Sequence, residues 1–94
     1  MNEVIELLKD LKFNIASRGF MYWIYAIGRR NKELKDIQDI YKELAEKEGT
    51  TIQNIEGSMK YARKDSDRLI KNYFNYSGSL TNNTVLNLIS LEVN

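Results

Sequence analysis

Apolar residues along this chain recur three and four positions apart, and no five-residue stretch alternates cleanly enough to read as a strand. Val4, Leu7, Leu8 and Leu11 form one stripe and predict a first helix, with Asn2 as its cap. Ser17 caps a second helix that carries Phe20, Trp23, Ile24 and Ile27 and leaves at Asn31. Ile37, Ile40, Tyr41, Leu44 and Ala45 mark a third, stopped by Gly49. Thr50 or Thr51 caps a fourth helix bearing Ile52, Ile55, Met59 and Ala62, and Thr50 with Gln53 has the form of a capping box. Leu69, Ile70, Tyr73 and Phe74 give a short fifth helix, followed by a loop at Asn75, Ser77, Gly78 and Ser79. Thr81 caps the last, with Val85, Leu88, Ile89 and Leu91 facing inward. The expectation is an all-α fold, a compact bundle of about six helices.

Composition narrows the chemistry. The 94 residues suit one domain, 1–94, with a single core. Proline is absent and glycine numbers 5, too few turn formers for a loop-rich β-sandwich. Cysteine and histidine are both absent, which excludes disulfides, thiol or imidazole catalysis and zinc sites built on those ligands. Glu43, Glu46 and Glu48 read as a solvated helix face, and Gly19 and Gly28 make no phosphate-cradling loop. No catalytic residue, metal site or cofactor is expected, and the chain reads as no enzyme. The N-terminus carries Glu3 and Glu6 where a signal peptide would be basic, and no window approaches the ~18 apolar residues of a membrane span. A cytoplasmic location and no membrane contact are expected. The net charge is only +1, but it is unevenly spread: residues 1–36 carry +2, 37–49 carry −2, 50–74 carry +2 and 75–94 carry −1.

The acidic and basic blocks meet at Gly49, where the spacing is informative. Two helices crossing steeply through a short turn need a small residue in the first, a left-handed turn residue, and a branched apolar residue in the second. Ala45 lies four residues before Gly49 and Ile55 six after it, with Leu44 beside Ala45 and Ser58 small at the next approach. That spacing fits a helix-turn-helix formed by the third and fourth helices. Glu48 and Thr50 depart from it, since an apolar neighbour is usual there. An ordinary helical hairpin closed by a glycine cap has much the same appearance.

In a helix-turn-helix the second helix offers its N-terminal residues to base edges. Here these are Thr51, Gln53, Asn54, Glu56, Gly57 and Lys60. Gln and Asn can bridge adenine, Glu can accept from cytosine and Lys can donate to guanine. Arg63, Lys64, Arg68 and Lys71 follow at positions suited to phosphates. The plainer reading is a solvated helix face. Tyr22, Trp23 and Tyr25 could stack on bases, although Trp23 falls at a core position. The run Arg29, Arg30, Asn31, Lys32 either contacts phosphate or complements the negative end of its helix dipole.

Over nearly its whole length the chain resembles the C-terminal DNA-binding domain of the sporulation-initiation response regulators of Bacillus and Clostridium. Arg18-Gly19-Phe20-Met21-Tyr22 is similar to that family's Lys-Gly-Tyr-x-Tyr, continued by Ala26-Ile27. Tyr41, Leu44-Ala45 and Thr50-Thr51 resemble its Tyr-Pro-x-Ile-Ala and Asn-Thr-Thr segments, and Thr81-Asn82 its Pro-Thr-Asn. The resemblance implies six helices, a helix-turn-helix in the third and fourth, and sequence-specific binding of double-stranded DNA in promoters. The family's recognition helix, Ser-Arg-Val-Glu-Arg-Ala-Ile-Arg, corresponds to Gln53 through Lys60. Glu56 is kept, Lys60 keeps a cation, and two arginines are replaced by Asn54 and Gly57, which implies a different operator. Gly57 either weakens the helix by ~1 kcal/mol relative to alanine or permits close backbone approach.

The family's receiver domain has no counterpart in these residues, so control is expected from expression, a partner or dimerisation. One short recognition helix spans few base pairs, so a homodimer or DNA-dependent dimer is expected, with Leu86, Leu91 and Val93 of the last helix as its contacts or simply as core. The resemblance implies contact with the RNA polymerase sigma subunit through Asp67, Arg68, Lys71 and Asn72, on a helix that is otherwise a packing element. The alternative to DNA binding is a relative that acts by protein–protein contact with a regulator or a polymerase subunit.

Overall fold

The computed structural model describes residues 2–93, which form α1 (Asn2–Asp10), α2 (Arg18–Glu33), α3 (Ile37–Glu48), α4 (Ile52–Ala62), α5 (Asp67–Phe74) and α6 (Asn82–Val93). No strand is present among the described residues, and no helix is long and apolar enough to cross a membrane. The molecule measures 35 × 26 × 25 Å.

Helix α2 is the axis on which the others pack. Its Trp23, Ala26 and Ile27 are wholly buried. The Trp23 ring meets Phe13 edge to face at 5.5 Å, and its Nε1 donates to the Met59 carbonyl of α4 at 2.8 Å. That bond removes the one polar obstacle to burying an indole. Where α2 crosses α4, Gly19 lies against the chain of Ser58, and a Cβ there would drive into the Ser58 carbonyl and the Ala62 side chain. Glycine is required at this crossing because two backbones touch with no side chain between them.

Helices α3 and α4 are joined by Gly49, Thr50 and Thr51. Gly49 adopts φ +64°, and the Thr50 N–H returns to the Ala45 carbonyl at 2.9 Å, closing α3 with a left-handed cap. Ala45, Leu44 and Ile55 are buried, in the pattern their spacing predicts. Thr51, not Thr50, caps α4: its Oγ1 accepts from the Asn54 N–H at 3.1 Å. Thr50 Oγ1 instead accepts from Asn54 Nδ2 at 2.8 Å, and the predicted Thr50–Gln53 box does not form.

Three boundaries and registers differ from expectation. Asn2 is the first residue within α1 rather than a cap before it. Helix α2 passes Asn31 and ends at Glu33, with Leu34 left-handed at φ 53°. An Arg29–Glu33 pair one turn apart supports the extra residues. In α6, Val85, Leu86 and Ile89 are buried while Leu91 is 78 % exposed, so Leu86 belongs to the core and not to a dimer contact. Two residues rotate a helix by about 200°, which puts Leu91 opposite Ile89.

Glu43 of α3 fastens α2 to α3. Arg29 grips it through Nε and Nη2 at 3.0 and 3.1 Å, Lys35 approaches to 2.7 Å, and the Tyr25 hydroxyl donates at 3.1 Å. The hydrogen bonds from Arg29 and then Lys35 hold the Glu43 pKa down from 4.5 to about 2. A carboxylate whose pKa falls on folding adds stability above its unfolded pKa and loses it as pH drops toward the folded value. The chain is therefore expected to lose stability as pH falls from 4.5 to about 2. Denaturant unfolding across that window should show less of this loss in Glu43→Gln, and parallel pH profiles would count against the arrangement. Gly19→Ala should cost about 1–3 kcal/mol or more by forcing α2 off α4, read from the same unfolding curves at neutral pH.

Candidate nucleic-acid interface

The exposed side of α4 is built from the residues that its buried face leaves over. Ile55, Met59 and Ala62 turn inward, so Gln53, Asn54, Glu56, Gly57 and Lys60 stand outward and are exposed. Thr51 is exposed as well, but its hydroxyl is committed to the Asn54 N–H. Nothing lies within 4 Å of where a Gly57 Cβ would be, so no contact within the fold demands glycine at this position.

A groove runs along each side of this ridge, and Gln53 and Gly57 border both. The first, about 430 Å³, lies toward the start of α2 and is lined by Ser17, Arg18, Asn54 and Tyr61. Lys64 sits beside it, its ammonium 4.6 Å from the centre of the Tyr61 ring. The second, about 410 Å³, lies toward the start of α6, between Glu56 and Lys60 on one side and Leu80, Thr81 and Asn82 on the other. Both grooves thus end on a helix N-terminus whose first turn carries no acid. In α2 the Ser17 hydroxyl donates to the Asn14 carbonyl instead of capping the helix, so its leading N–H groups have no side-chain cap. Helix N-termini, a guanidinium and an ammonium group together favour anions.

Not every predicted site residue joins this surface. Arg63 is a correction: it borders the second groove but is only 4 % exposed, its guanidinium engaged within the fold. Its Nε donates to Asn82 Oδ1 at 2.9 Å and its Nη1 to Asp67 Oδ1 at 2.7 Å. Asn82, itself buried, passes its Nδ2 to the Tyr41 hydroxyl and the Glu56 carbonyl, each at 3.1 Å. One buried network therefore joins α3, α4, α5 and α6, and an arginine expected on phosphate holds the fold instead. Arg68 is exposed on α5 but borders neither groove. Arg29 is occupied by Glu43 and Glu33, and Arg30 donates to Asn83 Oδ1 at 3.0 Å, so only Lys32 of that basic run is exposed. Arg18 was not among the predicted residues, although it precedes the glycine that sets the α2–α4 crossing. No group of metal-ligating side chains occurs among the described residues.

No family model, curated protein or solved structure matches this chain.

Asn82 is the hub of the polar network behind the ridge. Asn82→Ala leaves Arg63 Nε and the Tyr41 hydroxyl unpaired and should cost about 2–3 kcal/mol. Tyr41→Phe removes a single bond and should cost about 1 kcal/mol. Denaturant unfolding of the two variants reads the difference, and equal costs would show that the network does not centre on Asn82.

Proposed function

We propose that this chain is a small sequence-specific duplex-DNA-binding regulator of transcription that lays α4 in the major groove as the second helix of a helix-turn-helix. The observation that carries the reading is the polar ridge of α4 between two grooves that both end on helix N-termini. A helix about 10–12 Å across fills a major groove about 12 Å wide, so the phosphate strands come to lie on its two sides. Arg18, Lys64 and the start of α2 then face one strand, and Lys60, Thr81 and the start of α6 face the other. Gln53, Asn54 and Glu56 supply the acceptors and donors that distinguish base edges. The resemblance to the sporulation-initiation response regulators supports the same reading. With so few base pairs under one helix, two copies on neighbouring half-sites account best for useful affinity. Leu91, exposed on α6, is available to that pairing.

A second reading, action through protein contact alone, is favoured by the loss of Arg63 and Arg29 to internal pairing. Titration of duplexes selected from a random pool separates the two. For the DNA reading, Lys60→Ala and Glu56→Ala should each change preference at one base pair by about 1–3 kcal/mol, while Arg18→Ala and Lys64→Ala should weaken all sequences alike and flatten the salt dependence. Equal affinity for selected and random duplex at low salt would sink it.

A further inference from the structure

Away from α4, a groove of about 650 Å³ runs between α2 and α3, larger than either groove beside the ridge. Tyr22 and Leu44, both buried, form its floor, and Ile24, Tyr25 and Met21 its wall. Met21 is 63 % exposed, which leaves a flexible apolar side chain in water with nothing in the fold to cover it. Lys32 and Lys47 stand at the edges, and neither has a carboxylate at ion-pair distance among the described residues. Lys47 lies 5.0 Å over the Tyr25 ring, with its ammonium still open to an anion. Arg29, on the same wall, is consumed by Glu43 and Glu33, and Glu48 is the one acid in the lining.

We infer that this groove docks an amphipathic helix of another protein, with an apolar stripe and acidic residues beside it. The apolar floor suits side chains repeating every third and fourth residue. The two unpaired ammonium groups at its edges select carboxylates over cations. A phosphate backbone would leave Met21 and Ile24 uncovered, so duplex DNA is a poor fit. None of these residues borders the grooves beside α4, so an occupied α2–α3 groove leaves the ridge free, and the inference holds whether or not α4 reads DNA.

The test is a titration of the isotope-labelled full chain with a synthetic peptide of about 16 residues, long enough to form a helix. Its leucines repeat every third and fourth position with glutamate between them. Control peptides carry lysine for glutamate, or serine for leucine. The expected result is a shift of the Met21, Ile24, Tyr25 and Lys47 amides with the glutamate–leucine peptide and little with either control. Met21→Glu and Lys47→Glu, both at exposed positions, should each raise its Kd at least about tenfold and leave duplex affinity unchanged. Equal binding of the lysine peptide, shifts confined to other amides, or loss of duplex affinity in these variants would overturn the inference. Peptide-free shifts of the same amides with protein concentration would also overturn it, by placing a second copy of the chain in the groove.

Discussion

The contact of α2 and α4 at Gly19 sets the spacing of everything built around it. With no side chain between them the two backbones touch, and one turn further along, the Trp23 indole reaches the Met59 carbonyl. The glycine brings the helices close enough for that hydrogen bond, and the bond lets the largest side chain in the protein lie wholly buried. The same approach places the start of α2, and with it Arg18, beside the outer face of α4. Packing in the core and the electrostatics of the ridge therefore share one cause.

On its other side α4 packs on α3 through Leu44, Ala45 and Ile55, and a polar network adds to that packing. Asn82 bonds to Tyr41 of α3, to the Glu56 carbonyl of α4 and to Arg63 at the end of α4, and Arg63 completes the set with Asp67 of α5. A buried guanidinium is tolerable only when its N–H groups find acceptors. Here the acceptors are supplied by α5 and by the first turn of α6, so the last third of the chain positions a helix that lies well before it.

Much of this was legible in the sequence wherever the determinants are local. Ala45, Gly49 and Ile55 announce the α3–α4 turn because a left-handed cap and a small crossing residue act within a dozen positions. In α6 the inward places of Val85, Leu88 and Ile89 were legible, whereas Leu86 and Leu91 are equally apolar and were not told apart. Arg63 reads as a solvated cation at a helix end. Asp67, four residues on, was the available sign of a partner, but the other bond that lets Arg63 be buried comes from Asn82, 19 positions away. Arg18 escaped because its nearness to α4 follows from a tertiary crossing. The outward face of α4 was legible throughout, since it is whatever Ile55, Met59 and Ala62 leave exposed.

The open space at Gly57 bears on how such a protein diverges. The surroundings of Gly19 admit no substitution without moving a helix, whereas at Gly57 a Cβ meets open space. Replacing a mid-helix glycine also raises helix propensity by up to ~1 kcal/mol. A mutation there can thus add a side chain to the ridge without a clash at its Cβ. Gln53 and Lys60, exposed and free of hydrogen bonds to the core, share this freedom. Duplicated copies of such a gene can change the chemistry of this surface one residue at a time, with no intermediate passing through a misfolded ancestor.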